Sequence, residues 1–271
     1  MKNTKKMLVV LAASLVLLLG TGCNKLKARD QLNKGVQAFK NNKFEQAIDH
    51  FQQAVNLDPS LINARLYLAT AYAQGYVGGV DTPENIRMGE QAIEEYKKVL
   101  QTDPKNVTSV KGIASLYWQM KKYAEAKEYN QKASELDPND PEPYYSIAVI
   151  DWAQAYQHRM EARNQLGMKS EEALPTKDKK LCATIREKNM ANIQEGIDNL
   201  TKAIQLRPDY DDAMAYLNLM YRERADVQCD DPAARAADLK TADEWVDKTM
   251  ATKKAKAEKT PAGGIVMDET K

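Results

Sequence analysis

The sequence FEQAIDHFQQAVNLDP, residues 44–59, decides the fold because its pattern recurs three times further along the chain. The other copies are GEQAIEEYKKVLQTDP at residues 89–104, YAEAKEYNQKASELDP at 123–138 and IQEGIDNLTKAIQLRP at 193–208. Each carries a small residue, a second small or branched residue seven places later, and a closing proline five places after that. Because proline cannot continue a helix and restrains the residue before it, each segment is predicted to be a helix with a fixed end.

A second pattern follows each closing proline and predicts a second helix. A leucine or isoleucine stands near the middle of each copy, and in the first three a small residue follows it directly. Residues at these spacings lie on one face of a helix. The four copies are LYLATAY from residue 66, KGIASLYW from 111, YSIAVIDW from 145 and AYLNLMY from 215.

Paired helices of this length resemble the tetratricopeptide repeat, a helix-turn-helix unit of about 34 residues. The resemblance implies an all-α fold, a solenoid of about five such units across residues 28–250. Small residues would let the two helices of a unit pack closely, and bulky residues would fill the gap to the next unit. The expected units are residues 28–60, 61–105, 106–139, 140–209 and 210–250.

The distances between closing prolines predict two insertions. Successive closing prolines are 45, 34 and 70 residues apart. The first excess falls at GYVGGVDTPEN, residues 75–85, between the two helices of the second unit. The longest interval could hold a hidden sixth repeat, but residues 144–166 contain no glycine or proline for its turn. We therefore predict a fourth unit with both helices lengthened, joined around 167–178 and projecting as a hairpin.

Composition and motifs argue against catalysis and against nucleic-acid binding. The chain has 39 basic and 38 acidic side chains, so it lacks the strong positive charge that attracts DNA. His50 and His158 are the only histidines, and neither has a metal ligand one helical turn away. No phosphate-binding glycine loop or nucleophile elbow is present. We expect no enzyme activity, no cofactor, no metal and no small-molecule substrate.

The N-terminal residues 1–22 predict where the protein works. They begin with lysines, continue through a mostly apolar stretch and end in small residues directly before Cys23. This order is that of a secretory signal and resembles a bacterial lipoprotein signal. The resemblance implies lipid on Cys23, a linker over 23–27 and a periplasm-facing position. In such lipoproteins an aspartate directly after the cysteine favours retention at the inner membrane. This chain has Asn24 there, so the resemblance implies the outer membrane. The lipoprotein family usually has leucine three residues before the cysteine, where this chain has Gly20. The alternatives are an ordinary signal peptide cleaved near residue 22 and an uncleaved N-terminal membrane anchor.

The repeat resemblance also implies a concave groove, lined by the first helix of each unit, that binds another protein. Trp118 and Trp152 are 34 residues apart and are expected side by side in neighbouring units, where large aromatics make good anchors. The alternative is that both pack as core beneath the hairpin. The side chains expected to face the groove and bind a partner are Tyr67, Lys111, Trp118, Tyr145, Trp152 and Tyr216.

The resulting hypothesis is a lipid-anchored scaffold or adaptor that binds other envelope proteins. Its organisation is similar to that of the outer-membrane β-barrel assembly lipoprotein and of pilus-secretin pilotins. A role in outer-membrane, secretion or pilus assembly is therefore the first expectation. A non-catalytic regulatory subunit of an envelope enzyme and a structural spacer are the alternatives.

Two further features carry predictions. Cys182 and Cys229 would meet oxidising conditions after secretion, and antiparallel pairing of the helices around residue 208 brings them within reach. The sequence is compatible both with a Cys182–Cys229 disulfide and with two free buried thiols. The stretch 251–271 loses periodicity and is rich in lysine, so it is predicted to be a disordered tail.

Overall fold

The computed structural model describes residues 23–169, 172 and 178–259. Within these residues the chain is all-α, with ten helices and no strand. The helices are α1 (23–40), α2 (Phe44–Leu57), α3 (Ile62–Gly75), α4 (Pro83–Thr102), α5 (Val107–Gln119), α6 (Tyr123–Leu136), α7 (Pro141–Gln165), α8 (Lys179–Leu206), α9 (Asp211–Asp226) and α10 (Pro232–Lys259). The predicted signal segment, residues 1–22, lies outside the described residues.

Two compact bodies divide the chain, one ending at Lys132 and one starting at Ala133. In the N-terminal body each of the helices α2 to α4 packs on its successor in the chain, and α1 adds Ala38 to a core centred on Phe51 and Leu68. In the C-terminal body α7 packs on α8, α8 on α9 and α9 on α10, while α7 also contacts α9. These helix pairs confirm the predicted tetratricopeptide-type fold.

Each repeated segment ends its helix in the same way, as the closing prolines predict. The residue directly before the proline donates its backbone N–H to the carbonyl of the second small or branched residue of the pattern. The helix then stops because the proline has no N–H to continue the ladder. The four bonds are Asp58 to Ala54 (3.0 Å), Asp103 to Val99 (2.8 Å), Asp137 to Ala133 (3.0 Å) and Arg207 to Ala203 (2.9 Å).

The first small residue of each pattern is buried where two helices approach closely. Ala47, Ala92 and Ala126 have no exposed surface, and Gly196 takes the same place in α8. A Cβ atom at Gly196 would overlap the side chain of Met220 on α9. The spacing of small residues therefore reports helix packing, as expected from the sequence.

The fourth unit contains the predicted lengthened hairpin. Its helices α7 and α8 have 25 and 28 residues, against 14 in the plain helix α6. After α7 the chain turns through Gly167, which has a φ of +58° and follows a helix end of the kind glycine stabilises. We expected this hairpin to project. Instead, the end nearest the connection contacts the C-terminal end of α9, through contacts described below.

The C-terminal tail and the first insertion differ from the predictions. We expected disorder from Ala251, but α10 continues through Lys259 because alanine, lysine and glutamate are strong helix formers and no proline or glycine interrupts 251–259. Lys256 Nζ also lies 2.5 Å from Asp211 Oδ1 on α9. The insertion at 75–85 is only partly a loop, since α4 begins at Pro83. No helix in the described part of the chain is long and apolar enough to cross a membrane.

Candidate partner-binding site

Five aromatic side chains of the C-terminal body form a continuous run of ring contacts, here called the aromatic strip. Tyr145 lies 5.1 Å from Tyr210 and 5.6 Å from Tyr216, measured between ring centroids. Tyr216 meets Trp152 edge to face at 5.4 Å, and Trp152 stacks on Tyr156 at 5.1 Å. Offset and edge-to-face pairs at these distances stabilise one another beyond simple burial.

Helix periodicity places these rings on one face. On α7, Tyr145, Trp152 and Tyr156 follow spacings of seven and four residues, which return to the same side of a helix. The helix starts firmly, because the Asp140 side chain accepts a hydrogen bond from the Glu142 N–H and proline occupies the first turn. The other two rings come from Tyr216 on the neighbouring helix α9 and from Tyr210, directly before that helix.

The strip has a buried side and an open side. Tyr145, Trp152 and Tyr216 pack against the core that contains Ala148 and Leu217, yet each keeps part of its surface exposed. Tyr156 is 39% exposed. The rings are therefore rigidly backed and still accessible, which is the arrangement of an anchor for a bound segment.

Hydrogen bonds and ion pairs fix the end of the strip near Tyr210. The Tyr210 hydroxyl donates to Glu142 Oε2 at 2.8 Å, while Arg207 pairs with Glu142 Oε1 at 2.8 Å. Burial raises the pKa of the Tyr210 and Tyr145 phenols, and nearby carboxylates raise it further. Both phenols are therefore neutral near pH 7 and present a hydroxyl rather than a charge.

A buried ion cluster, which the sequence did not reveal, closes the opposite end. Arg159 lies over the Tyr156 ring at 5.3 Å and donates to both Glu223 carboxylate oxygens at 2.7 and 2.8 Å. Asp226 Oδ2 is 3.4 Å from the same guanidinium. Burial raises the pKa of Glu223 and Asp226, and outweighs the lowering by Arg159. The hairpin is thus held along α9.

The predicted residues of the N-terminal body do not form a comparable strip. Tyr67 is 41% exposed and stacks on Phe51 at 5.5 Å, whereas Trp118 is 36% exposed and contacts Tyr123 at 5.4 Å. Lys111 is partly buried on α5. The structure therefore brings together Tyr145, Trp152 and Tyr216 of the predicted set. Trp118 and Trp152 belong to different bodies, and their expected side-by-side position stays a prediction.

The structure brings Cys182 and Cys229 together as a disulfide, with Cα atoms 5.8 Å apart. This bridge joins the start of α8 to the segment that follows α9. Cys23 is a free, exposed cysteine at the start of α1.

Both histidines make structural contacts. His50 Nδ1 lies 2.7 Å from Gln31 Oε1, and His158 Nδ1 lies 2.7 Å from Asn189 Oδ1. The described residues contain no cluster of three or more histidine, cysteine or acidic side chains that could hold a metal ion.

Comparison with known proteins identifies the repeats. Residues 35–75 match the family model described as "TPR repeat", and residues 88–149 match the one described as "Tetratricopeptide repeat". A curated relative, the Hsp70-Hsp90 organizing protein of Triticum aestivum, is 29% identical over 115 residues. That match covers 42% of this chain and 18% of the relative, so the chain spans less than a fifth of that protein's length.

Solved structures agree on the fold over most of the chain. A crystal structure of MamA has a TM-score of 0.57 at 16% identity, covering 87% of this chain and 97% of that one. MamA from Desulfovibrio magneticus RS-1 scores 0.56 at 16% identity and covers 84% and 96%. YrrB, described as a TPR protein with an unusual peptide-binding site, scores 0.51 at 16% identity and covers 84% and 90%. At these identities the likeness shows the fold: a solenoid of tetratricopeptide repeats.

Proposed function

We propose that this protein is a non-catalytic scaffold that binds a segment of a partner protein on the aromatic strip of its C-terminal body. The observation that carries the proposal is the strip itself. Tyr145, Trp152 and Tyr216 combine a fixed core backing with open ring surface, and the exposed Tyr156 stacks on Trp152. Aromatic side chains held in this way lose little conformational entropy on binding and are enriched among residues that dominate interface energy.

The repeats support this proposal as well. Stacked helix pairs present extended surfaces used for binding. The wheat relative is named as an organiser of two other proteins, and YrrB is described as having a peptide-binding site. A peptide or a helix lying across α7 and α9 would reach the four strip rings that keep open surface, all except the buried Tyr210.

Affinity capture from cell envelopes tests the proposal. The full chain would be compared with a Trp152→Ala/Tyr156→Ala double variant and with a Trp245→Ala control, which removes a partly buried indole from α10. Proteins captured by the wild type and by the control, and lost with the double variant, would support strip-mediated binding. A partner retained by the double variant, at matched helicity, would move the binding site elsewhere.

The membrane anchor is a further part of the proposal. Its support is the resemblance of residues 1–23 to a lipoprotein signal and the exposed position of Cys23. Two or more acyl chains, each worth about 0.8 kcal/mol per buried methylene, would hold the protein firmly on a membrane. The location would be the periplasm-facing side of the outer membrane, and the partner would belong to outer-membrane, secretion or pilus assembly.

Lipid labelling tests the anchor directly. Cells fed radiolabelled palmitate should label the wild-type chain, and Cys23→Ser should abolish both the label and membrane fractionation. A wild-type chain that carries no lipid would contradict the anchor while leaving the strip proposal intact.

A structural spacer is a second candidate, favoured by two links between the hairpin and the last repeat. The Cys182–Cys229 bridge and the Arg159–Glu223 pair both fasten the hairpin to the last repeat, which is what a rigid spacer needs. The capture experiment separates the two functions. A scaffold would lose its captured partner when Trp152 and Tyr156 are replaced, whereas a spacer would capture no partner that depends on these two residues.

A further inference from the structure

We infer that the segment bound on the aromatic strip carries an arginine or lysine side chain, which pairs with Asp212. This inference rests on the proposed function, because it specifies which class of segment the strip accepts. It concerns Asp212, Tyr216 and Tyr145, the residues at the junction of α7 and α9.

Asp212 lies on the same face of α9 as the strip. It precedes Tyr216 by four residues, one helical turn, and Tyr216 contacts both Tyr145 and Trp152. Burial raises the pKa of the Tyr145 and Tyr216 phenols most. Tyr216 raises the pKa of Tyr145 further, and the Asp212 charge raises the pKa of both phenols, as expected for a carboxylate one turn from Tyr216.

The Asp212 carboxylate is available to a ligand. Asp212 is exposed, and its side chain makes no hydrogen bond and no ion pair with any residue in the ranges 23–169, 172 and 178–259 that the structure describes. The adjacent Asp211 differs, because it is bound by Lys256 of α10 at 2.5 Å. The two neighbouring aspartates therefore have separate roles, one structural and one facing the strip.

The other charged groups along the strip already have partners. Glu142 binds Arg207 and Tyr210, and Arg159 binds Glu223. Among the described residues, Asp212 makes neither a hydrogen bond nor an ion pair, and Lys256, which binds Asp211, is the cation that attracts it. The Asp212 carboxylate therefore repels an acidic segment and attracts a basic one. A cation placed here would meet a carboxylate and aromatic faces together.

The geometry favours arginine over lysine. A guanidinium is planar, so it can stack on a tyrosine ring while donating two hydrogen bonds to a carboxylate. Lysine offers a compact ammonium that satisfies the charge but not the stacking. Apolar or aromatic residues beside the cation would cover Trp152 and Tyr156.

Selection from a phage-displayed library of random linear peptides, on the immobilised full chain, tests the inference. The peptides enriched by the wild type should contain arginine or lysine next to apolar residues. The most enriched peptide would then be measured by fluorescence anisotropy. Asp212→Asn should weaken its binding about twofold to fivefold, within the range for an exposed ion pair. Asp247→Asn, the same change at an exposed position of α10, should leave binding unchanged.

A double-mutant cycle makes the assignment specific. Replacing the basic residue of the peptide by glutamine should weaken binding to the wild type, with little further loss in Asp212→Asn. Equal losses in both proteins would overturn the pairing with Asp212.

The outcomes separate this inference from the proposed function. Peptides without a basic residue that still require Trp152 and Tyr156 would overturn the inference and leave the proposed function standing. If no enriched peptide depends on Trp152 and Tyr156, the strip is not a peptide site, and both proposals fail together.

Discussion

At the scale of single residues, burial decides which charged groups matter for stability. Glu223 has 3% of its side chain exposed and accepts both hydrogen bonds from Arg159, so its removal leaves a largely buried guanidinium with weaker compensation. We expect Glu223→Gln to lower the free energy of unfolding by about 2–4 kcal/mol. Urea denaturation measures this loss.

The control for this prediction is the same substitution in an exposed pair. Glu128 lies 2.6 Å from Lys132, with both side chains about half exposed, so solvent screens the attraction. Glu128→Gln should leave the free energy of unfolding almost unchanged. If Glu128→Gln and Glu223→Gln lowered the free energy of unfolding equally, burial of the Arg159–Glu223 pair would not add to its contribution to stability.

Residue patterns predicted part of the site and missed the rest for a physical reason. Tyr145, Trp152 and Tyr216 follow from the repeat phase, because the repeat fixes which helix face each position occupies. Tyr156 and Arg159 lie in the lengthened part of α7, where no repeat phase applies. The Arg159–Glu223 pair spans 64 residues of sequence, so local patterns do not reveal it.

At the scale of helices, close packing of α8 on α9 yields a prediction at Gly196. Alanine there gains up to about 1 kcal/mol of helix propensity. Its Cβ would, however, overlap the fully buried Met220, and overpacking costs about 1–3 kcal/mol. We expect Gly196→Ala to lower the free energy of unfolding by about 1 kcal/mol, the difference between these effects.

Chemical denaturation of a double variant checks the cause. Because the conflict is with the Met220 side chain, Gly196→Ala should cost less in a Met220→Ala background than in the wild type. Additive losses in the double variant would mean that the two residues do not compete for space.

The last helix yields a prediction about local order. Lys256 holds α10 to Asp211, and this contact lowers the pKa of Asp211. Its stabilising effect is therefore present above the ordinary carboxyl pKa and is lost as pH falls through the lowered pKa. Lys256→Gln should speed amide hydrogen exchange in residues 251–259 at neutral pH and leave α2 unchanged. Unaltered exchange would contradict a structural role for the contact.

Helix ends were the most predictable elements, because a closing proline acts locally whatever surrounds it. The end of α10 was not predicted, since periodicity disappears after Met250 while alanine, lysine and glutamate still favour a helix. The lost apolar periodicity after Met250 therefore did not mark the end of the helix. The hairpin length followed from proline spacing, but its attachment to α9 depends on distant residues.

At the scale of the whole molecule, the two bodies allow a test of the disulfide. The bridge closes a loop with a sequence separation of 47, and the loss of such a cross-link costs about 4 kcal/mol by chain entropy. A Cys182→Ala/Cys229→Ala variant should therefore unfold its C-terminal body at lower urea. Amide exchange during unfolding assigns each transition, and the N-terminal body should be unaffected. Equal destabilisation of both bodies would contradict the claim that the disulfide stabilises only the C-terminal body.

The central claim is that the aromatic strip receives a partner segment. Site-specific photo-crosslinking in cells tests it most directly, with benzoylphenylalanine incorporated at position 156 on the strip or at position 246 on α10. Tyr156 and Val246 are 39% and 38% exposed, so the two probes are matched for accessibility. We predict a discrete crosslinked partner from position 156 and none from position 246. The same products from both positions, or a partner only at 246, would contradict the account.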